Sequence, residues 1–338
     1  MNTEGKYRIL ILTDHKAHHP KESLYPLLRE MRKHPSCGSI EVASKGAEVN
    51  RDFFKGRGKG MIYSTLPGPH FRYQSSGKQF ERRLRAVHPS EFDVVLLRQG
   101  RPKPKFLHFL TQHADAARII NRPEGILEAG SKQFLLTFPE LCPPMRICRS
   151  IEEVESLKNT FPIVLKPFFG SGGKGILRIS EEEVWDGLRR ESWQNYLPRL
   201  EKKLKKGLLA MKYLPNVEQG DKRIIVVNGQ ITGSALRLPA KGSWLCNVSQ
   251  GGSETASPPD ENERRIAEIV TPEMQRRGVV IFGFDTLVDD NGQRVLSEIN
   301  AANPGGMLPA QLSSGEPVVR RSARELWKYI QLHIGALR

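Results

Sequence analysis

A glycine-rich segment between two predicted strands is the feature that most limits what this chain can fold into. Apolar runs at 162–168 and 175–180 predict strands, and the segment FGSGGKG (169–175) between them carries four glycines. Glycines let a backbone turn tightly and direct its N–H groups toward an anion. The GxxxxGK[ST] spacing of a P-loop is absent, and a strand rather than a helix follows, which excludes a dinucleotide-binding fingerprint. The segment by itself predicts equally well a flap over phosphate groups or an ordinary hairpin turn.

A lysine next to this segment favours the first interpretation. Lys166 lies inside the apolar run IVLKPF, directly before the glycines. A lysine in such a run either extends to solvent at the sheet edge or meets an anion. Because the glycine-rich segment follows at once, we expect Lys166 to meet an anion.

The strongest combination of polar residues lies near the C-terminus. Asp285 ends the apolar run VVIFGFD, the pair Asn291-Gly292 marks a hairpin turn, and Glu298 and Asn300 lie in VLSEIN. Residues two apart on a strand point to the same face, and the hairpin can bring Asp285 beside them. Carboxylate and amide oxygens suit Mg²⁺ bound together with nucleotide phosphates. The alternative is a strand pair whose polar ends face solvent, which the apolar flanks of both strands disfavour.

Two arginines lie on an earlier predicted hairpin, which turns at Asn228-Gly229. Arg223 and Arg237 stand on its two strands. A guanidinium offers a planar fork for phosphate or carboxylate and stabilises charge on a transferring phosphoryl group. For each arginine alone, a solvated sheet face is the alternative.

Composition narrows the class of protein. The length of 338 residues predicts about two domains. The net charge of +15 fits either nucleic-acid binding or a site for anionic substrates, but no RNA-binding signature, zinc finger or bZIP heptad accompanies it.

The four cysteines form no CxxC pair and the histidines have no metal-ligand spacing, so we expect reduced thiols and no transition metal. No run resembles a membrane span or signal peptide, which predicts a cytoplasmic protein without a membrane partner.

The order of predicted elements indicates the fold class. The first part alternates strands with helical stretches, which is typical of a mostly parallel α/β domain: strands at 7–14, 92–100 and 117–123, a helix at 23–34, and loop with short strands at 45–80. The later part combines hairpins with helices in an α+β layout, with helices predicted at 124–138, 181–206 (interrupted near Pro198) and 316–334.

Five motifs, in order and spacing, resemble those of bacterial glutathione synthetases, which are ATP-grasp enzymes. They are FPIVLKPFFGSGGKGILRI, AMKYLPNVEQGDKRIIVVNGQ, LRLP, FGFDTLV and VLSEIN. The resemblance implies an α/β N-terminal domain followed by α+β ATP-grasp domains. We place the substrate-binding N-terminal domain at 1–124 and the ATP-grasp domain at 125–338, with 133–207 as the smaller subdomain that carries the glycine-rich segment.

The resemblance also implies an activity. The chain would be an ATP-dependent carboxylate–amine ligase that works through an acyl-phosphate, with ATP and Mg²⁺ (or Mn²⁺) as cofactors. Its substrates would be γ-glutamylcysteine and glycine, for glutathione biosynthesis, and it would form a homo-oligomer. One alternative is a related ATP-grasp ligase with another carboxylate or amine. Another is a nucleic-acid-binding or regulatory protein that has lost catalysis, which the retained polar residues disfavour.

The family roles transfer to individual positions. The nucleotide would contact Lys132, Lys166, Gly170, Ser171, Gly172, Gly173, Lys212, Tyr213, Leu214 and Asp221. The metal would be held by Asp285, Glu298 and Asn300, and phosphoryl transfer would be assisted by Arg223 and Arg237. The substrate would contact Arg98 and Asn247.

Two departures from the family pattern leave the substrate open. A TSPT-like run is replaced by Ala302-Asn303-Pro304-Gly305, and an arginine expected between Arg237 and Asn247 is replaced near Leu245. Both changes fall near the expected peptide and amine sites, not the ATP site. Cations that could compensate for the missing arginine are Arg98, Arg101, Lys103 and Lys241.

Overall fold

The computed structural model describes residues 6–170, 172–187, 189–240, 244, 246 and 253–337. Within these residues the strands form one parallel sheet, two larger antiparallel sheets and a two-stranded ribbon. None of the helices in the described part of the chain is long and apolar enough to cross a bilayer.

A four-stranded parallel sheet forms the centre of the N-terminal part. The elements here are β1 (Tyr7–Thr13), α1 (Leu24–Arg32), β2 (Cys37–Ser44), α2 (Arg51–Phe54), β3 (Ile62–Ser64), β4 (Arg85–Val87), β5 (Val94–Arg98), α3 (Pro104–Thr111), β6 (Ile119–Ile120) and α4 (Pro123–Ala129). The sheet has the order β2-β1-β5-β6. Strands β1 and β5 are almost wholly buried, as continuous apolar runs predict for parallel strands covered on both faces. Their carboxyl ends therefore lie side by side.

Several predicted elements of this part differ in the structure. The strand predicted at 117–123 is only Ile119–Ile120, and the stretch at 45–80 contains a short helix besides a strand. Strand β2 was not predicted, because an edge strand needs fewer apolar residues than a central one. The helix predicted at 124–138 ends at Ala129 and resumes as a 3₁₀ helix, Lys132–Thr137, since the Ser131 side chain accepts a hydrogen bond from the Gln133 N–H and starts a new turn.

The middle of the chain forms a six-stranded antiparallel sheet. Its elements are β7 (Met145–Cys148), α5 (Ile151–Lys158), β8 (Ile163–Pro167), β9 (Leu177–Ser180), β10 (Glu183–Trp185), β11 (Arg190–Ser192), α6 (Trp193–Leu204) and β12 (Leu208–Lys212), with the strand order β11-β10-β9-β8-β12-β7. Strands β8 and β9 pair as a hairpin around the glycine-rich segment, which confirms the predicted strand–loop–strand order.

The helix predicted at 181–206 is wrong in its first half. Residues there form β10 and β11, and the helix begins only at Trp193. The Ser192 side chain accepts a hydrogen bond from the Asn195 N–H, which caps the helix start. In β10 the side chains around buried Val184 alternate in exposure, which is the pattern of a strand. The many charged residues hide this pattern in the sequence, and the stretch pairs as β10 and β11.

The C-terminal part forms a five-stranded antiparallel sheet with helices on it. Its elements are β13 (Asp221–Val227), β14 (Gln230–Leu238), β15 (Ser253–Thr255), α7 (Glu261–Arg276), β16 (Ile281–Val288), β17 (Arg294–Asn300), α8 (Met307–Ser314) and α9 (Val318–Tyr329), with the strand order β15-β14-β13-β16-β17. The two predicted hairpins are confirmed. At the first turn both Asn228 and Gly229 have positive φ (50° and 77°), as a two-residue type I′ turn requires. The predicted final helix ends at Tyr329 and continues as a π-helical turn, Ile330–Ile334.

The C-terminal elements pack back onto the parallel sheet. On α9, Trp327 packs against Tyr7 and donates a hydrogen bond from Nε1 to the Met31 carbonyl at 3.0 Å. Buried Asn121 donates to the carbonyls of Ile281 and Ala301 at 2.6 Å and accepts from two N–H groups at the start of β16. These contacts hold the two sheets side by side. The predicted α/β part followed by an α+β part is confirmed, while the boundaries at 124, 133 and 207 remain predictions.

Candidate active site

The five-stranded sheet brings the predicted metal ligands together. In the register of β16 and β17, Asp285 pairs with Glu298 and Gly283 pairs with Asn300. On its other side, Asp285 pairs with Arg223 of β13. Residues directly opposite each other in an antiparallel sheet point to the same face. The expected proximity of Asp285, Glu298 and Asn300 is therefore confirmed as a feature of the fold.

A β-bulge at Ser297 links this face to Lys166. The register shifts between Asp285 and Thr286, so Ser297 is the extra residue on β17. Its hydroxyl donates to the Asp285 carbonyl at 3.0 Å, and its own carbonyl accepts a hydrogen bond from Lys166 Nζ at 3.2 Å. The bulge thus ties the lysine of the six-stranded sheet to the carboxylates of the five-stranded one.

Asp285 lies at the centre of a buried charge network. It is only 3% exposed, and it accepts hydrogen bonds from Arg223 through Nε and through Nη2 at 2.9 Å. Arg237 Nη2 lies 2.9 Å from the same carboxylate and also donates to Asp221 at 2.7 Å. Burial disfavours the ionised carboxylate, but the two guanidinium groups outweigh burial and hold the pKa of Asp285 well below its usual range. At Asp221 burial prevails and raises the pKa.

Two buried lysines face the same carboxylates from the other side. Lys132 Nζ donates to Glu298 Oε1 at 2.7 Å and to the Gly170 carbonyl at 3.2 Å, which attaches it to the glycine-rich segment. Lys166 lies close to the Met211 sulfur at 3.4 Å. Burial, together with the charge of Lys132, lowers the pKa of Lys166 to about 8. Lys132 therefore joins Glu298 to the glycine-rich segment, and Lys166 contacts the backbone of the neighbouring residue, Ser297.

Two cavities meet at Asp285 and Glu298. We call the first, of about 670 Å³, the charged cavity; it is lined by His19, Pro20, Lys21, Glu22, Ser23, Gly172, Arg223, Arg237, Glu254, Asp285, Glu298, Asn300, Gly305, Gly306 and Pro309. We call the second the apolar slot; besides Asp285 and Glu298 it is lined by Val164, Lys166, Ile176, Met211, Lys212, Tyr213, Leu214, Val217, Asp221, Trp244, Cys246, Leu287 and Ser297. A slot for a flat apolar group thus lies next to a cavity rich in charge. A nucleotide needs such a pair of sites, an apolar one for its base and a charged one for its phosphates.

Most residues that the sequence analysis predicted for the site line one of these cavities. Gly172 and Gly173 have positive φ (64° and 73°), so the segment turns where only glycine does so without strain. Residues Ser171, Lys241, Leu245 and Asn247 lie outside the described part of the chain. Their predicted roles therefore stay predictions.

Arg98, the predicted substrate contact, lines neither of these two cavities. It lies at the carboxyl end of β5 and is 3% exposed. Its Nε and Nη2 atoms are buried and have no hydrogen-bond partner among the described residues. Burial lowers the pKa of Arg98, and Glu22, a residue of the charged cavity, partly opposes that effect. Buried N–H groups without a partner, such as those on Nε and Nη2 of Arg98, can donate hydrogen bonds to a substrate carboxylate.

Several residues that line the cavities, among them Glu254, Trp244 and the segment His19–Ser23, were missed by the sequence analysis. The segment His19–Ser23 covers the charged cavity, and its position after the carboxyl end of a parallel strand was a usable signal. Glu254 faces Arg237 across the β14–β15 pairing. Trp244 lines the apolar slot, and nothing in its sequence surroundings indicated that position.

Comparisons with known proteins identify the family of this chain. The family model for the prokaryotic glutathione synthetase ATP-grasp domain matches residues 131–313. The glutathione synthetase of Bradyrhizobium diazoefficiens is 30% identical over 245 residues, which cover 71% of this chain and 73% of the relative. That of Vibrio parahaemolyticus is 30% identical over 280 residues, which cover 78% and 83%.

Solved structures share the fold at lower identity. The crystal structure of D-cycloserine synthetase DcsG matches with a TM-score of 0.65 and 14% identity, covering 96% of this chain and 99% of that one. Macrocyclase MdnC from Microcystis aeruginosa, bound with its precursor peptide MdnA, matches with a TM-score of 0.58 and 14% identity, covering 94% and 99%. At such identities the likeness is one of fold.

Proposed function

This chain belongs to the prokaryotic glutathione synthetase family and is an ATP-grasp ligase that forms a C–N bond, and from this premise we propose that it joins γ-glutamylcysteine to glycine. The observation that carries the proposal is the junction of the apolar slot and the charged cavity at the paired residues Asp285 and Glu298. ATP would lie across that junction, with its base in the slot and its phosphates at the carboxylates.

The residues around the junction suit the phosphates. Lys132 and Lys166 supply ammonium groups, and the glycine-rich segment supplies backbone N–H groups. In the free protein the Lys132 ammonium and the Glu298 carboxylate are each other's partner. When phosphate and a divalent metal bind, the lysine would pair with the phosphate and the carboxylate with the metal.

The donor set fits a divalent cation. Asp285 and Glu298 offer anionic oxygens on one sheet face, and Asn300 lies beside them with an amide whose Nδ2 atom has no partner among the described residues. Asp285, Glu298 and Asn300 would hold Mg²⁺, with Mn²⁺ as the alternative. The bound metal would neutralise phosphate charge and polarise the γ-phosphoryl group.

The chain's arginines would assist phosphoryl transfer. A substrate carboxylate oxygen attacks the γ-phosphorus, the bond to the β–γ bridging oxygen breaks, and ADP leaves. Arg223 and Arg237, which converge on Asp285 at the edge of the charged cavity, would stabilise the charge on the transferring group. The amine of the second substrate then attacks the acyl-phosphate carbonyl, phosphate leaves, and the amine loses a proton. No nucleophile from the protein is needed.

Arg98 would anchor a carboxylate of the dipeptide. Its two unpaired N–H-bearing atoms lie buried at the carboxyl end of β5, near Glu22 of the charged cavity. A bidentate contact to a carboxylate satisfies such a group. This residue would therefore compensate for the arginine that the family pattern places near Leu245.

The deciding experiment supplies ATP, γ-glutamylcysteine and glycine with Mg²⁺ or Mn²⁺, and follows both ADP and the tripeptide. Stoichiometric ADP and tripeptide support the proposal. If no tripeptide forms while another carboxylate and amine pair releases ADP, the chain is a sister ligase with a different substrate. Light scattering of the same preparation tests the proposed homo-oligomer.

A further inference from the structure

We infer that the Trp244 indole occupies the place that the base of the nucleotide needs, so that this side chain lowers the affinity of the free protein for ATP. The inference rests on the proposed function of the apolar slot as the base site. It adds a residue that sets nucleotide affinity, and it predicts the direction in which its removal acts.

The indole is buried among the walls of the slot. Trp244 is 7% exposed and packs in one apolar cluster with Val164, Val217 and Cys246, all of which line the slot. Its ring centroid lies 6.2 Å from that of Tyr213. The side chain thus fills the slot from within.

The remaining space is too small for a second flat ring system. The slot has a free volume of about 90 Å³ beside the indole. Pockets that hold small molecules have volumes of roughly 300–1,000 Å³. An indole and a purine are both flat bicyclic rings of similar size, so the slot accommodates either one but not both.

The docked indole is held by packing alone. Its Nε1–H is buried and has no acceptor among the described residues. An unsatisfied buried donor carries a free-energy penalty that solvent exposure or a ligand acceptor removes. Apolar burial therefore favours the docked position while the unpaired N–H opposes it, which makes displacement by a ligand feasible.

One wall residue of the slot has a ring contact besides the indole. Tyr213 lines the slot, and the Arg178 guanidinium lies 3.9 Å from the centre of its ring. This cation–π contact does not involve Trp244. When the indole leaves, Tyr213 therefore keeps a neighbour that holds its ring, against which a base can pack.

The change in nucleotide affinity depends on the relative populations of two forms of the free protein, one with the indole docked in the slot and one with the indole undocked. A ligand that binds only the undocked form has an apparent Kd equal to the intrinsic Kd divided by the undocked fraction. If the docked form is ten times more populated than the undocked form, removing the indole tightens nucleotide binding about tenfold.

The test titrates MgADP into the full-length parent, Trp244→Ala and Trp244→Phe by calorimetry. We expect a Kd about tenfold lower for Trp244→Ala and an intermediate value for Trp244→Phe, whose ring is smaller. Trp327→Phe is the matched control, because Trp327 is a buried tryptophan between α1 and α9, away from the slot. Its Kd should equal that of the parent.

Fluorescence gives a second readout. Nucleotide should shift the tryptophan emission of the parent and of Trp327→Phe, and the shift should be smaller in Trp244→Ala, which keeps Trp185, a residue whose ring lies 6.0 Å from that of Trp244. An unchanged or weaker affinity of Trp244→Ala, with its thermal unfolding intact, overturns the inference, since a weaker affinity means that the indole stacks on the base. If neither the parent nor any variant binds MgADP, the proposed nucleotide site is itself wrong.

Discussion

Replacing Glu298 with Gln tests the proposed metal site with little damage to the fold. The Glu298 side chain is 26% exposed and, among the residues that the structure describes, forms one ion pair, with Lys132 at 2.7 Å. The glutamine side chain has about the same size as that of glutamate but carries no charge. A partly exposed ion pair contributes about 1 kcal/mol to stability. For a chain of 338 residues that loss lowers Tm by about 1–2 °C.

The expected effect on turnover is much larger. We expect an anionic ligand that holds a charge in place in the transition state to lower the activation free energy by about 2.7–4 kcal/mol, as other preorganised groups do. At about 1.4 kcal/mol per factor of ten, Glu298→Gln should lower kcat roughly 100- to 1,000-fold. ADP release at saturating ATP measures this loss, and a titration with Mg²⁺ should show that higher metal concentration restores part of the rate.

Glu273→Gln is the control for this experiment. Glu273 lies on α7, away from both cavities; its side chain is 34% exposed and pairs with Arg276 at 3.0 Å and also with Arg277. Its substitution should leave turnover unchanged and affect Tm about as much. If Glu298→Gln keeps turnover within about tenfold of the parent, the assignment of Glu298 as a metal ligand is refuted.

Four other predictions follow from the contacts. Asp285→Asn should abolish turnover and also cost about 3–5 kcal/mol of stability in urea unfolding, because two guanidinium groups lose their buried carboxylate; a melting curve like that of the parent would contradict this. Since the pKa of Lys166 is about 8 in the free protein, its ammonium is lost as pH rises, so ATP affinity should fall up to about tenfold from pH 7 to pH 9 and Lys166→Met should flatten the profile in calorimetry. Asn121→Ala should lower the free energy of unfolding by at least about 3 kcal/mol, because it removes four buried hydrogen bonds, and equal urea midpoints would refute that role. Trypsin should cut after Lys174 more slowly when ATP is present, because bound phosphate orders the glycine-rich segment; equal cleavage rates would exclude the flap.

Local patterns predicted the elements whose causes are local. The hairpin at Asn228-Gly229 was predictable because its turn needs positive φ at both residues. The strand–loop–strand order around the glycine-rich segment followed from apolar runs on both sides of it. By contrast, the charged stretch before Trp193 was predicted as helix, and it forms strands because pairing with β9 and burial of Val184 outweigh local propensity.

The sequence by itself determined that Glu298 and Asn300 share a strand face, because the side-chain period of a strand is two and needs no tertiary contact. It also indicated that a hairpin could bring Asp285 to them. Only the tertiary structure decided that Lys132 meets Glu298 across 166 positions of chain, since that contact depends on how the 3₁₀ helix Lys132–Thr137 packs against β17. Likewise, only packing places Trp244 in the apolar slot. Periodicity acts over a few residues, whereas the distance between elements far apart in sequence is set by the side chains that fill the space between sheets.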